Sequence, residues 1–258
     1  MTKKPIVDRP SAGFERELDA FYTALDQTAP TSLTGCLGWT MHELTAHICA
    51  AAIEIAENLE AFLAGKVVPN TRSFEEREAP YRAMTDSVLR VKSIRSIERM
   101  AADIDSVLSA EPDAVVPWTG RAMLVKTFVT HLRSELAIHR YDIVGDDETS
   151  RALLGNSELT DHAVTILGRA LLFRGSNMAP TGFRAALSSP DSDDVIVLVD
   201  DEDSCLIRGE ISSNPAVIGD ADARLLFLWG RLPGNPSRLK ALGGPEVLAH
   251  LQSLLAGY

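Results

Sequence analysis

Three cysteines in 258 residues, Cys36, Cys49 and Cys205, are odd in number and scattered, so they form no disulfide framework and suit a reducing compartment. Plain packing is the default role of Cys49. Long apolar runs are missing too. No stretch approaches the roughly 20 apolar residues of a membrane span. No apolar run follows Lys3 and Lys4, so MTKKPIVDRP predicts no signal peptide. Basic charge is the minority, with 25 Lys and Arg against 36 Asp and Glu and a formal net charge of −11. Such a surface repels phosphate backbones despite local basic pairs such as Arg90 and Lys92, which argues against nucleic acid as a partner. No internal repeat or low-complexity tract is visible. What remains is a cytoplasmic globular protein, with 45% hydrophobic and 24% charged residues, long enough for one large domain or two modest ones.

The first part of the chain reads as helical. Between about residues 12 and 28, Phe14, Leu18, Phe21 and Leu25 recur at helical spacing. Thr40 stands three residues before Glu43, which matches a capping box and marks a helix start. Leu44, Ile48, Ala51, Ile55, Leu59 and Phe62 then form an apolar stripe, with Gly65 as its stop. The segment 80–109 predicts another long helix, broken near its middle, and 121–143 a further one. Four helices make an antiparallel bundle the natural architecture. The acidic run DDETS after Gly145 reads as a turn or linker, and ELTDHAVTILGRALLFRG as one more helix. The pattern changes near residue 182. GFRAALSS, DVIVLVDD and SCLIRGE read as strands, and ADARLLFLWGR and GPEVLAHLQSLLAG as closing helices. The expected organisation is α+β, with a helix bundle over 1–150 and a smaller α/β domain over 151–258.

Two helical segments far apart in sequence carry the chemistry. His47 points to the core of GWTMHELTAHICAA, and Glu135 and His139 stand four residues apart in THLRSELAIHRYDIVG. That spacing puts Glu135 and His139 on one helix face, one turn apart, so one ion can be held by both while a second helix brings His47. Zinc takes these ligand types, and three protein ligands leave a fourth position open; other divalent ions suit them as well. Such pairs also occur in helices that bind nothing. His131 and Asp142 share the sector. His131 is read as an outer partner that orients Glu135, an alternative ligand or an ordinary edge residue. Asp142 orients His139 or caps the helix end. His42, five residues from His47, is expected to be exposed, and Trp39 and Trp118 to be core residues. His162 and His250 are assigned nothing.

GWTMHELTAHI, RSELAIHRYDIVGDD, ELTDHAVTILGR and the late ARLLFLWGR, in this order and spacing, resemble the mycothiol-dependent maleylpyruvate isomerase family of actinobacteria, within the wider DinB-like metal-binding group. The resemblance runs from about residue 12 to the end. It implies a DinB-like four-helix bundle that holds a divalent metal, usually zinc, and a sterol-carrier-like C-terminal α/β domain. It implies His47, Glu135 and His139 as ligands, through W-T-x-x-x-L-x-x-H and E-x-x-x-H-x-x-D. It also implies an arginine of the C-terminal domain that serves activity, matched by Arg231 of LWGR. With mycothiol as the thiol, addition to a small cis-unsaturated acid, rotation and elimination give the trans isomer; without elimination the product is a thioether, by S-transfer. The alternatives are a binding or regulatory module with an idle metal site and a metal-dependent hydrolase. Acid and base roles are open to His131, Asp142 and His42, and a monomer and a homodimer are both compatible with the sequence.

Overall fold

The computed structural model describes residues 13–167, 172, 179–190, 192–200 and 204–255. Contacts divide the chain into two units between Leu136 and Ala137.

The first unit is helical. It holds α1 (Glu15–Asp26), α2 (Met41–Leu63), α3 (Phe74–Arg82), α4 (Asp86–Ala110), a hairpin of β1 (Val115–Trp118) and β2 (Arg121–Leu124), and the start of α5 (Phe128–Val144). The α2 helix begins as expected. The Thr40 hydroxyl accepts from the Glu43 amide and the Glu43 side chain reaches back to the Thr40 amide, which satisfies two of the orphan donors of the first turn. Gly65, at φ +63°, ends it. Burial on α2 exceeds the expected stripe, because Ala46, Cys49, Ala50, Ile53 and Ala56 are enclosed too. Small residues on those faces let α2 run through the middle of the unit. Its close partner is α4, which buries Leu89, Ile97, Met100, Ile104 and Val107. Phe21 of α1 is fully buried, and Tyr22 donates to Ser93 Oγ on α4 at 2.8 Å.

Three expectations for this part are corrected. The break in the 80–109 segment comes at its start, over 83–85, and α4 then runs unbroken to Ala110. Residues 121–124 are a strand, because Thr119 and Gly120, at φ +49° and +79°, turn the chain back in a two-residue hairpin. His42 is half-buried, in contact with the Asp86 carboxylate at the start of α4 and 2.9 Å from the Arg82 carbonyl.

The second unit continues α5 and adds α6 (Glu148–Leu154) and α7 (Ser157–His162). The acidic run is a helix start, since Asp147 accepts from the Ser150 amide and caps α6. A π-helical stretch over 163–167 follows α7, and, Leu172 apart, the rest of the helix expected there lies outside the described residues. The three expected strands form as β3 (Phe183–Ser189), β4 (Ser192–Val199) and β5 (Cys205–Gly209). Two short strands, β6 (Val217–Gly219) and β7 (Leu239–Ala241), complete a sheet of order β5-β4-β3-β6-β7, antiparallel except for β3 with β6, where Leu187 pairs with Val217. The helix α8 (Ala221–Leu228) packs on β3 and β6, and α9 (Pro245–Leu255) closes the described chain. Helices come first and the sheet last, which is the α+β organisation the sequence predicts. Among the described residues no helix is long and apolar enough to cross a membrane.

Candidate metal centre

In the first unit the site starts from His47, on the buried face of α2. Its ring lies between Trp39 and Phe74, with centroids 5.2 and 5.7 Å away. Its Nδ1 is 2.7 Å from Glu78 Oε1 on α3, and its Nε2 is 3.4 Å from Glu135 Oε2 on α5. Glu78 is fully buried. Its other oxygen accepts from Arg82 Nη2 at 2.6 Å, and Arg77 Nε lies 3.8 Å from Oε1. Burial by itself raises the Glu78 carboxyl. The His47 hydrogen bond and the charges of Arg77 and Arg82 outweigh it and hold the carboxyl below its ordinary range.

In the second unit His139 Nδ1 is 2.9 Å from Asp142 Oδ2, three residues further along α5. Arg231, just beyond α8, donates to the same carboxylate through Nε at 3.3 Å and Nη2 at 3.1 Å, while its Nη1 donates to the Trp229 carbonyl at 2.9 Å. Burial pushes the Asp142 carboxyl up, but the His139 hydrogen bond and the Arg231 charge win and hold it far below the usual carboxylate range. Arg231 therefore acts on the carboxylate beside His139, a link that neither helical spacing nor the LWGR segment reveals.

The helix α5 runs unbroken past Leu136, so His139 is set one turn from Glu135 by helix geometry. Within the first unit His47 Nε2 meets the Glu135 carboxylate, and His139 stands one turn further along the same helix, so the ligand types are those that suit a divalent ion.

His131 stands one turn before Glu135. It is buried, and its Nε2 accepts from the Trp118 indole N–H at 3.3 Å. Burial lowers its pKa, Glu135 opposes that, and Arg121 and Arg77 add to it, so the ring favours its neutral form. Trp118 is buried against Phe128 as a core residue, with its polar edge spent on His131. Glu78 is the residue sequence reasoning missed. The signal present was local to α3: Ser73 and Glu76 form a capping box that opens a helix just before Glu78, and Arg82 stands four residues after it.

None of the curated proteins compared with the chain matches it. Two solved structures share its fold with a TM-score of 0.66: a mycothiol-dependent maleylpyruvate isomerase, 16% identical, and a histidine-to-alanine mutant of such an enzyme, 15% identical. Each likeness covers 95% of this chain and 97% of the other. Over residues 12–144, more than half of its length, the sequence matches the family described as the mycothiol maleylpyruvate isomerase N-terminal domain, and the chain belongs to that family.

Proposed function

We propose that this protein is a metal-dependent enzyme that uses mycothiol to isomerise a small cis-unsaturated acid of the maleylpyruvate type, acting in the cytoplasm. The domain of residues 1–150 supplies the centre, with His47, Glu135 and His139 as ligands and zinc as the first candidate, and the domain of residues 151–258 supplies Arg231.

One observation carries this reading: His47 Nε2 lies 3.4 Å from the Glu135 carboxylate, and His139 stands one turn further along the same helix. A second detail supports the fit. With His47 Nδ1 donating to Glu78, Nε2 presents a lone pair towards the Glu135 carboxylate 3.4 Å away. Two acceptors facing each other at that distance suit a cation between them. Such a cation, when bound, supplies the Lewis acidity by which a low-molecular-weight thiol ionises near neutral pH, ready to add to an electrophilic carbon and leave again. The chain's own residues do the rest. Glu78 and Asp142 hold the two imidazoles. Arg231, anchored on Asp142, brings positive charge for an anionic substrate or the thiol cosubstrate. His131 stands one turn from Glu135 as an outer partner of that carboxylate, its Nε2 accepting from the Trp118 indole.

The test begins with metal content by plasma mass spectrometry on the tag-free protein and its His47→Ala variant. The expected result is one zinc per chain, lost in the variant. Mycothiol and maleylpyruvate are then supplied together, and the cis and trans acids are followed. Trans product that needs both thiol and metal supports the isomerase. Accumulating thioether makes the protein an S-transferase, and thiol-independent cleavage of esters or amides makes it a hydrolase. Absence of metal in both proteins, even after zinc is supplied, leaves a binding module.

A further inference from the structure

We infer that Glu78 is a positioning residue that fixes the tautomer and ring orientation of His47, which makes α3 a structural part of the metal centre. The inference rests on the reading of His47 as a ligand. Glu78 is 0% exposed, and a buried carboxylate costs several kcal/mol unless charge and hydrogen bonds compensate it. Here both oxygens are committed, Oε1 to His47 at 2.7 Å and Oε2 to Arg82 at 2.6 Å, with Arg77 alongside. Burying a charge against a ring already packed between Trp39 and Phe74 does something packing does not. An ionised carboxylate only accepts, and Glu78 stands at 2.7 Å from Nδ1 against 3.4 Å between Glu135 and Nε2, so the proton of a neutral His47 ring resides on Nδ1. The lone pair is thereby placed on Nε2, the nitrogen that faces Glu135. Arg82, one helical turn after Glu78, keeps the carboxylate charged and its plane fixed. The chain thus builds the carboxylate–imidazole arrangement by which proteins orient metal-binding histidines, with the carboxylate supplied from a different helix.

The first readout needs no metal. In the full-length, metal-free protein labelled with ¹⁵N-histidine, long-range ¹H–¹⁵N correlation above the ordinary imidazole titration range is expected to show His47 with its proton on Nδ1. In Glu78→Ala the two tautomers should mix. In Glu78→Gln the amide oxygen still accepts from Nδ1, so the pattern should persist. Zinc affinity, from competition with a chelator, should fall roughly 10- to 100-fold in Glu78→Ala and by less in Glu78→Gln, with far-ultraviolet helicity retained. A proton on Nε2 in the wild type, or unchanged zinc affinity in a folded Glu78→Ala variant, would overturn the inference. If Glu78→Ala does not fold, the wild-type tautomer and the Gln variant decide. The Nδ1 tautomer in a protein that takes up no zinc would uphold Glu78 as the positioning residue while the metal reading fails.

Discussion

His139 finds its carboxylate three residues away on its own helix, whereas His47 reaches one 31 residues away on another. The chemistry of the two pairs is alike, an imidazole Nδ1 on a buried carboxylate that an arginine holds charged. What maintains the geometry differs. Asp142 is placed by the helical repeat, so the His139 pair exists wherever α5 is helical. Glu78 is placed by the docking of α3 against α2, so the His47 pair exists only while a nine-residue helix stays packed. One arm of the site is secured by secondary structure and the other by tertiary structure, and they should fail under different perturbations.

The largest effects test whether both arms serve one ion. Replacing Glu135 or His139 by Ala should abolish zinc retention with most helicity intact, and His162→Ala should retain the metal. Equal metal content in all three variants would dissolve the comparison, because the arms would then share nothing. The next effect belongs to the α5 arm alone. Asp142→Asn keeps the shape of the side chain but leaves Arg231 facing an amide, and zinc should bind roughly tenfold or more weakly. Taking the carboxylate charge away from this partly buried pair also costs about 1–3 kcal/mol, so the urea midpoint should fall in the same variant. Unchanged affinity with lowered stability would make the Asp142–Arg231 pair a device of folding alone.

The same distinction decides how much could be read from the sequence. The Thr40–Glu43 capping box, the stop at Gly65 and the Glu135, His139 and Asp142 face were legible because each is a relation among residues within a turn or two. Arg231 entered through resemblance, since no periodicity links a residue after α8 to one on α5. Glu78 was invisible because its partner is set by packing between helices. The hairpin at 115–124 overlaps the helix that the sequence predicts over 121–143. Its strands are four residues each, too short for alternation to show, and the only marks of the reversal are Thr119 and Gly120. For the same reason the three-residue β6 and β7 escaped notice, whereas β3 and β4, seven and eight residues long, did not.

The smallest predicted effect probes the weaker arm without touching its chemistry. The Ser73 hydroxyl accepts from the Glu76 amide, while the Glu76 carboxylate takes the Ser73 amide at 3.0 Å and the hydroxyl at 2.6 Å, so α3 is held at its start by a reciprocal pair. Both side chains are exposed. Ser73→Ala removes the cap and should destabilise α3 by about 1 kcal/mol. Hydrogen exchange of the α3 amides should then quicken by roughly a factor of five, with the α5 amides unchanged. That outcome makes α3 a separately opening element, and with it the His47 arm the first to loosen under heat or denaturant. Equal acceleration in α3 and α5 would mean that the two arms open together, and the contrast between a local and a tertiary pair would carry no mechanical consequence.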